Sequence, residues 1–386
     1  MRAGPELLDL LRRRTDDMVE STRLLVQAES PSSDLAACEL CVEVAATVVS
    51  EWLGERARVE VHGGRPVLRW GPPSPRVLLL GHLDTVWPVG TLTRLPWTAD
   101  EERMTGPGVF DMKAGAVQGI AALASLAHLD LAPLPGVGLL LTTDEETGSL
   151  ASRDLLREAS SAASAVLVLE PSVDGALKTA RKGTSWYALT LHGRAAHAGL
   201  DPYSGVNALT ELAHLVHDAT TWADPGAGTT VTPTTATAGT TANTVPDRAD
   251  LTLDVRAWTS AEQHRVDLAV RGWRPQHHEA TYEVGGGIDR PAMEESASAP
   301  LDALARTAAD RLGIALPAGR SVGGASDGNL TAAWGVPTLD GLGAVGAGAH
   351  ADDEWASVPA LPERAALVAA LAADLLDGPG AGTITG

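Results

Sequence analysis

Short apolar runs alternate with helical patterns along the first 170 residues of the chain. The 3.6-residue period of amphipathic helices appears in four segments, residues 5–28, 34–53, 113–129 and 150–159. Apolar runs without that period predict strands, among them RVLLLGH (76–82), GVGLLLTT (136–143) and SAVLVLE (164–170). Strands that alternate with helices indicate an α/β sheet covered on both faces, and ligands of such sheets bind beyond the carboxyl ends of the strands.

The pattern changes in the middle of the chain. Six segments of residues 183–289 have the order strand, helix, strand, strand, helix, strand: TSWYALTLHG, GVNALTELAHLVHDATTW, TTVTPTTATAG, DLTLDVRAW, SAEQHRVDLAVRGW and ATYEVGGG. This βαββαβ order predicts a ferredoxin-like module. Helical patterns return at residues 298–313 and 360–377, with the short strand VPTLD between them. We therefore predict one α/β domain with a central, mostly parallel sheet in two parts, 1–182 and 290–386, interrupted by an inserted lid or dimerisation domain.

The composition predicts a globular protein without a nucleic-acid or membrane partner. Of the 386 residues, 44% are hydrophobic and 20% charged, which is ordinary for a soluble protein. The 29 basic and 49 acidic residues give a net charge of -20, so phosphate backbones and anionic membrane surfaces would be repelled. No uninterrupted apolar run approaches the roughly 20 residues of a membrane span, and charges interrupt residues 1–17, unlike a secretory signal. We expect a cytoplasmic protein.

Cysteine is scarce. Only Cys38 and Cys41 occur, as CELC within a helical pattern. A single CxxC without a second pair is weak evidence for zinc. We interpret both as small core residues.

Side chains able to bind a metal occur at the ends of predicted strands. In GHLDTVWP, His82 and Asp84 end the strand RVLLLGH, and alternation in an extended backbone projects both to the same side. Four more segments of the α/β domain carry such residues: Asp111 in GPGVFDMKAG, Asp144, Glu145 and Glu146 in TTDEETGS, Glu170 in LVLEPS and His350 in GAGAHADDEW. A buried carboxylate is costly unless it is paired or bound to a cation, and a metal would relieve the repulsion within such a group.

The ligand types predict the metal chemistry. Histidine and carboxylate ligands without thiolates suit a zinc-type catalytic centre with an open position for water. Two histidines and three carboxylates exceed what one tetrahedral ion takes, so two ions would account for them. Glu145 and Glu146 point in different directions, so one can bind metal while the other acts as general base toward metal-bound water. A solvated charge run is the alternative, and the preceding apolar GLLLTT weakens it.

A series of segments in chain order carries a family resemblance: GHLDTVWPVGTL, GPGVFDMKAG, TTDEETGS, LVLEPS, RKGTSWYALTLHGRAAHAG, ANTVPD, GGASDGN and GLGAVGAGAHADDEW. The series resembles the co-catalytic zinc carboxypeptidase and aminoacylase family, which includes bacterial glutamate carboxypeptidase, acetylornithine deacetylase and succinyl-diaminopimelate desuccinylase. It extends over nearly the whole chain. RKG and the glutamate at 170 are most similar to the glutamate carboxypeptidase branch. The resemblance implies an aminopeptidase-like catalytic domain around the ferredoxin-like lid.

The same resemblance implies a set of metal ligands. His82 and Glu170 would bind one zinc ion, Glu146 and His350 would bind the other, and Asp111 would bridge both. Two Zn²⁺ per subunit are therefore expected, although Co²⁺ or Mn²⁺ can also occupy sites of nitrogen and oxygen ligands.

Roles beside the ligands are implied as well. Asp84 would orient His82, and Glu145 would be the general base that takes a proton from the bridging water and returns it to the leaving amine. The resemblance also implies a cis peptide bond after Asp111.

Three residues of the predicted lid complete the expected site. His197 in GRAAHAG is similar to a family histidine that reaches the active site of the partner subunit, which implies a homodimer. Asn243 in ANTVPD and Arg256 in LDVRAW resemble the pair that recognises the substrate carboxylate. A guanidinium binds a carboxylate through two hydrogen bonds, so Arg256 suits that task.

The expected activity is hydrolysis of an amide bond next to a free carboxylate. A carboxypeptidase that releases a glutamate-like C-terminal residue from a small peptide is the first interpretation, and deacylation of an N-acyl amino acid is the second. Trp87, Trp186 and Asp340 depart from the general family pattern near the expected site, and their effect on the substrate pocket stays open.

Two other interpretations compete with a metallohydrolase. GASDG (324–328) matches the nucleophile-elbow pattern of serine hydrolases with Ser326 as nucleophile, but the elbow requires a preceding strand, and GRSVGG is a poor one. A catalytically inactive metal-binding scaffold would lack Glu145 or a ligand, and every position is present. The segment GLGAVG matches the glycine spacing of a dinucleotide-binding loop, but no helix is predicted after it.

Overall fold

The computed structural model of the chain describes residues 3–132 and 134–377. Its helices are α1 (Pro5–Arg12), α2 (Thr15–Gln27), α3 (Leu35–Leu53), α4 (Ala114–His128), α5 (Arg153–Ser160), α6 (Ala208–Thr221), α7 (Ser260–Gly272), α8 (Glu295–Leu312), α9 (Asp327–Ala333) and α10 (Ala360–Asp377). Its strands are β1 (Arg58–His62), β2 (Arg65–Trp70), β3 (Val77–His82), β4 (Thr98–Ala99), β5 (Arg103–Thr105), β6 (Val137–Thr142), β7 (Ala165–Val168), β8 (Lys178–Arg181), β9 (Gly183–His192), β10 (Ala196–His197), β11 (Thr230–Ala238), β12 (Thr244–Val245), β13 (Arg248–Ala257), β14 (Thr281–Arg290), β15 (Arg320–Val322), β16 (Thr338–Leu339), β17 (Gly346–Ala347) and β18 (Trp355–Ser357).

The chain divides into two units. The first contains the residues up to 179, residues 295–321 and the residues from 326 onward, and the second contains residues 180–294 and 322–325. The boundaries expected from the sequence, after residues 182 and 289, lie close to the ends of the longer segment of the second unit. The roles of the two parts as catalytic domain and lid stay predictions.

The first unit contains a six-stranded sheet in the order β1-β2-β6-β3-β7-β16. Strands β6, β3, β7 and β16 run parallel to one another. At one edge, β2 pairs antiparallel with β6 and with β1. The prediction of a central, mostly parallel sheet is therefore confirmed. Because the parallel strands are adjacent, their carboxyl ends meet at one edge of the sheet.

Two cores cover the faces of this sheet. Val77 and Leu79 of β3 pack into a large core that includes apolar residues of α1–α4, α8 and α10. Leu78 and Leu80 pack into a smaller core with residues of α5 and α9. Successive residues of a strand point to opposite faces, so this division follows from the alternation along β3. Burial on both faces explains why the parallel strands are continuous apolar runs.

Helix α4 lies in the larger core. Residues Val109–His128 are long and apolar enough, by length and composition alone, to cross a membrane, but 94% of their most apolar window is buried inside the protein. A helix that is apolar on all sides is typical of the centre of a large core. Its apolar composition is explained by packing against α3 and α10.

The helix predicted over residues 5–28 is in fact two helices. The backbone leaves the helical conformation at Arg14, whose φ and ψ are -110° and 18°, and its guanidinium lies 3.6 Å from the ring centre of Trp52. Helix α1 packs mainly against α10, whereas α2 packs mainly against α3 and α4. Periodicity reports which positions are apolar but not which neighbour they face, so the change of direction was not visible in the sequence.

The second unit has a four-stranded antiparallel sheet in the order β11-β13-β9-β14. The elements β9, α6, β11, β13, α7 and β14 follow one another in the βαββαβ order expected for a ferredoxin-like module. Tyr187, Leu189 and Leu191 of β9 point into a core shared with α6 and α7. Trp186 and Ala188 point to the other face and are exposed. Strand β9 therefore buries one face only, as period-2 patterning predicts.

Candidate metal centre

The five proposed ligands lie at the carboxyl edge of the central sheet and in two loops of the first unit. His82 is the last residue of β3, Glu146 lies in the turn that follows β6, and Glu170 follows β7. Asp111 lies in an irregular turn before α4, where its φ and ψ of -115° and 94° are not helical. His350 lies in the loop between β17 and β18 with a positive φ of 61°, a conformation uncommon for a residue with a side chain.

These side chains meet in one cluster. His82 Nε2 lies 3.4 Å from Asp111 Oδ1 and 3.5 Å from Glu170 Oε1. His350 Nε2 lies 3.5 Å from Asp111 Oδ2 and 3.3 Å from Glu146 Oε2. One carboxylate, that of Asp111, therefore contacts both imidazoles, each through a different oxygen.

The geometry and the chemistry of the cluster fit zinc. Nitrogen and oxygen ligands of tetrahedral Zn²⁺ lie about 2.0–2.2 Å from the ion, which places neighbouring ligand atoms about 3.4 Å apart. Possible ligand atoms form two groups, His82–Glu145–Glu170 and His82–Asp111–Glu146, and within each group all of these atoms lie within 4.8 Å of one another. Asp111 Oδ1 is buried and accepts no hydrogen bond from the described residues. A buried acceptor of this kind is costly unless a cation or donor satisfies it.

Asp84 connects His82 to the turn after β6. His82 Nδ1 lies 3.0 Å from the backbone carbonyl oxygen of Asp84 and 3.4 Å from its carboxylate Oδ1. The fully buried carboxylate also accepts hydrogen bonds from Ser32 Oγ at 2.7 Å and from the backbone N–H groups of Glu145 and Glu146 at 3.3 and 3.2 Å. The shortest contact of the ring is thus with the Asp84 carbonyl, and the carboxylate fixes the turn that carries the two glutamates.

The three acids of TTDEETGS have three different environments. Asp144 Oδ2 accepts hydrogen bonds from the backbone N–H groups of Ala151 and Ser152 at 2.8 and 3.1 Å, which closes the turn before α5. Glu145 is 8% exposed and belongs to the group with His82. Glu146 contacts His350. The run is therefore not a solvated charge cluster.

Burial and neighbouring charges shift the pKa values of the side chains in the cluster. Burial opposes a charged His82, but the neighbouring carboxylates, that of Asp111 first and then those of Asp84 and Glu170, outweigh burial and raise the His82 pKa well above its ordinary value. Hydrogen bonds to Asp111 and Glu146 raise the pKa of His350 to about 10. Burial alone would raise the pKa of Asp111, but the two imidazoles lower it, whereas burial raises the pKa of Glu146. Without a metal, protons on the imidazoles compensate the carboxylates.

The peptide bond between Asp111 and Met112 is cis. This agrees with the family resemblance, which implied a cis bond after Asp111. The two buried cysteines, Cys38 and Cys41, lie in α3 and form no disulfide.

The three remaining predicted site residues belong to the second unit. His197 is exposed, and its Nδ1 accepts hydrogen bonds from the N–H groups of Gly199 and Leu200 at 3.1 and 3.0 Å. Asn243 is exposed and lies beside β12, which pairs with the strand that carries His197. Arg256 forms an ion pair of 2.8 Å with Asp254. The structure therefore brings His197 and Asn243 near each other, and Arg256 lies on the four-stranded sheet.

Other polar residues of the first unit were not expected from the sequence. Ser32 holds Asp84, and Lys178 Nζ lies 3.5 Å from Glu170 Oε2. Glu354 is buried beside the Asp111 turn. Lysine at 178 could have been noticed because it interrupts the apolar stretch before RKG, but Glu354 is hidden in the charge run ADDEW.

Ser326 has a structural environment. A strand of three residues, β15, lies before it and α9 follows it, so only Arg320–Val322 of GRSVGG form a strand. Ser326 Oγ is fully buried, donates to Asp340 Oδ2 at 2.6 Å and accepts from the N–H of Gly328 at 3.1 Å. A serine nucleophile would need a histidine as base, and His350, the histidine that follows it in the chain, contacts Asp111 and Glu146 instead. Ser326 and Asn329 form the capping box at the start of α9, and Asp340 holds the Ser326 hydroxyl.

Solved structures of peptidases have a similar fold. The aminopeptidase PepT from Bacillus cereus ATCC 10987 matches with a TM-score of 0.73 at 21% identity, over 94% of this chain and 98% of that chain. The M20 family metallo-carboxypeptidase Sso-CP2 from Sulfolobus solfataricus matches with a TM-score of 0.67 at 16% identity, over 92% and 98%. At these identities the similarity shows the fold alone.

The model of peptidase family M20/M25/M40 matches residues 78–374. Carboxypeptidase G2 of Pseudomonas sp. (strain RS-16) is 32% identical over 318 residues, which cover 79% of this chain and 75% of that protein. The chain therefore belongs to peptidase family M20/M25/M40 and is a metal-dependent hydrolase. The family suggested by the series of sequence segments is confirmed, and the serine-hydrolase and inactive-scaffold interpretations are wrong.

Proposed function

We propose that this enzyme is a di-zinc carboxypeptidase that hydrolyses the amide bond next to a free carboxylate and releases a glutamate-like residue. One observation carries the proposal: Asp111 contacts the Nε2 atoms of two imidazoles, and each Nε2 atom contacts one further carboxylate. This pattern supports two metal positions that share one ligand. The 32% identity to carboxypeptidase G2 supports the carboxypeptidase branch of the family.

Five residues would hold the metal ions in this proposal. His82 and Glu170 form one set, Glu146 and His350 form the second, and Asp111 belongs to both. Zinc bound there would lower the pKa of water and polarise the scissile carbonyl. Asp84 would keep the ring of His82 in one orientation, because it contacts Nδ1 and leaves Nε2 directed at Asp111.

Glu145 would be the general base. It lies in the group with His82 and Glu170, and its backbone N–H is held by the buried Asp84 carboxylate. A carboxylate fixed in this way can accept a proton from the attacking water and return it to the leaving amine. Its 8% exposure leaves little water to compete for that proton.

Three residues of the second unit would recognise substrate in a homodimer. Arg256 would bind the terminal carboxylate through two hydrogen bonds, with Asn243 as an additional donor. His197 would stabilise the developing oxyanion of the partner subunit. Arg256 pairs with Asp254 in the free protein, so the substrate would compete with that aspartate. The second unit would then act as lid and dimerisation domain, in a cytoplasmic enzyme.

Hydrolysis of a substrate panel tests the proposal. The wild type and Glu145→Ala, each loaded with zinc, are assayed on peptides that end in glutamate or other residues and on N-acetyl amino acids. We expect wild-type activity on glutamate-terminated peptides and a loss of about 10²-fold or more in kcat for the variant, because a general base contributes roughly 10²–10⁴-fold. Glu39→Ala, an exposed glutamate of α3, is the control.

Other outcomes would change the proposal. Preference for N-acetyl amino acids would replace carboxypeptidase activity with deacylation. Full activity of Glu145→Ala would contradict its role as base. Cobalt- and manganese-loaded enzyme in the same assay tests the choice of metal, and light scattering of the purified protein tests the dimer.

A further inference from the structure

Glu354 is a buried carboxylate for which the proposed chemistry has no role. It is 2% exposed. Its Oε2 accepts hydrogen bonds from Trp87 Nε1 and the N–H of Gly108, both at 2.9 Å. Its Oε1 accepts from the N–H groups of Phe110 at 2.9 Å and Asp111 at 3.1 Å. A carboxylate has about four acceptor positions, so these four bonds use its whole capacity.

The bonds join three segments that each carry a candidate ligand. Glu354 lies in the loop of His350. Trp87 follows β3, which ends at His82. Asp111 itself supplies one of the four donors. One side chain therefore fixes the backbone of the shared ligand relative to both imidazoles.

The backbone before α4 requires such an anion. Gly108 has a φ of +72°, in the region that favours glycine, and a Cβ there would lie 2.5 Å from Thr85 Cγ2. In this conformation the N–H groups of Gly108, Phe110 and Asp111 converge on one point instead of joining a helix or sheet. Converging amides form an anion-binding concavity, and Glu354 occupies it.

We propose that Glu354 is a positioning residue of the metal centre. It holds the Asp111 turn so that the two carboxylate oxygens of Asp111 reach His82 and His350 together. The contacts are 3.4 and 3.5 Å, and catalytic groups must be held to within about 0.5 Å. A rotation of the turn would move one oxygen away from its imidazole. The inference rests on the proposed function, which makes Asp111 the shared ligand.

Graded substitutions separate this role from simple structural support. Glu354→Gln keeps the size but directs an NH₂ donor at N–H donors. Glu354→Asp keeps the charge on a shorter side chain, and Trp87→Phe removes only the indole donor. The matched control is Glu211→Gln in the second unit. Glu211 is 4% exposed and accepts hydrogen bonds from two backbone N–H groups, at 2.7 and 3.1 Å, near residues 276–277.

Three measurements are made on each full-length protein. Amide hydrogen exchange at residues 108–111 of the metal-free enzyme reports the turn without any metal. Competition with a chelator gives the zinc affinity, and the absorption spectrum of cobalt-loaded enzyme reports the ligand geometry. Steady-state kinetics on the substrate that the wild type prefers separates kcat from KM.

We expect a specific pattern. Glu354→Gln should accelerate exchange at residues 108–111 by about tenfold or more, weaken zinc binding roughly 10- to 100-fold, change the cobalt spectrum and lower kcat more than it raises KM. For Glu354→Asp, each of these quantities should lie between the values of Glu354→Gln and the wild type. Trp87→Phe should change them in the same direction by a smaller amount. Glu211→Gln should accelerate exchange only near residues 276–277.

The outcomes that contradict the inference are distinct from failure of the proposed function. If the wild type binds zinc and is active, but Glu354→Gln and Trp87→Phe match Glu211→Gln in zinc affinity, cobalt spectrum and kcat, then Glu354 does not position the centre. Unchanged amide exchange at residues 108–111 of metal-free Glu354→Gln would also contradict the inference, whatever the metal measurements show. If Glu354→Gln does not fold, the same measurements on Glu354→Asp and Trp87→Phe decide the question. A wild type that binds no zinc and hydrolyses nothing would overturn the proposed function, and this inference with it.

Discussion

The metal cluster and the sheet of the second unit hold charged side chains in opposite ways. In the cluster, His82 and Asp111 are far apart in the chain, and the side chain of His82 is 2% exposed. On β13, Arg248 pairs with Asp250 two residues away, and the two side chains are 59% and 38% exposed. The first contact exists only because the fold forms, whereas the second requires only an extended strand.

The difference predicts where substitutions have large effects. Removal of one partner from a buried pair leaves an uncompensated charge, which is strongly destabilising unless a metal or proton replaces it. An exposed pair loses little, because water and salt already screen it. Charged side chains in the two regions are therefore expected to contribute very differently to binding and stability.

The largest effect is expected at the ligand shared by both imidazoles. Asp111→Asn should lower kcat/KM by more than about 100-fold and reduce the zinc stoichiometry, because an amide binds zinc poorly. Zinc content after dialysis and the peptidase assay measure both. Asp250→Asn, in an exposed pair of the second unit, is the control. Equal zinc content in Asp111→Asn and Asp250→Asn would contradict the assignment of Asp111 as a metal ligand.

Zinc binding should release protons. The pKa of metal-free His350 is raised to about 10 by Asp111 and Glu146, so at neutral pH the imidazole carries a proton, and only the neutral ring binds zinc. The apparent zinc affinity should therefore rise as pH rises toward 10 and fall at lower pH. Calorimetry in buffers of different ionisation enthalpy measures the protons released. His197→Ala should leave the number of released protons unchanged. If zinc binding to the wild type released no protons, the pairing of a protonated His350 with Asp111 and Glu146 would be contradicted.

A smaller and more selective effect is expected at Arg256. Arg256→Ala should raise KM for substrates with a free carboxylate by roughly 10- to 100-fold, because a charge-assisted pair of hydrogen bonds is lost. Hydrolysis of the same substrates with an amidated C-terminus should change little. The ratio of kcat/KM for the two substrate forms is the measurement. A variant that loses both activities equally would show that Arg256 has no role in carboxylate recognition.

The smallest effect is expected at the exposed pair used for comparison. Arg248→Ala should leave the urea midpoint of unfolding and kcat/KM within error of the wild type, because both side chains of the pair contact solvent. Urea unfolding followed by fluorescence measures the midpoint. A clear loss of stability would mean that the exposure of a charged pair does not predict how much its removal destabilises the protein.

Much of the fold was predictable from periodicity. The alternation of apolar runs with helical patterns predicted the parallel sheet, and the βαββαβ order of the second unit was visible in the same way. The break between α1 and α2 was not, since a change of helix direction at Arg14 leaves the apolar spacing intact. The proposed ligands could be found because most of them follow strands, where the backbone delivers side chains to one edge.

Glu354 shows the limit of that reasoning. Within ADDEW it has the pattern of a solvated acidic run, and its acceptance of a hydrogen bond from Gly108 spans 246 residues. Ser32, whose hydrogen bond to Asp84 spans 52 residues, was missed for the same reason. Their burial depends on neighbours that no local pattern names.

The sequence by itself determined the order of the elements, the faces they bury and the residue types at the strand ends, because these follow from short-range sterics and from the hydrophobic pattern. Only the tertiary structure decided which oxygen of Asp111 meets which imidazole, that the carbonyl of Asp84 makes the shortest contact with His82, and that Glu354 fills the concavity of the Asp111 turn. Hydrogen bonds and ion pairs act over a few ångströms in space, irrespective of separation along the chain, so these contacts exist only in the folded molecule.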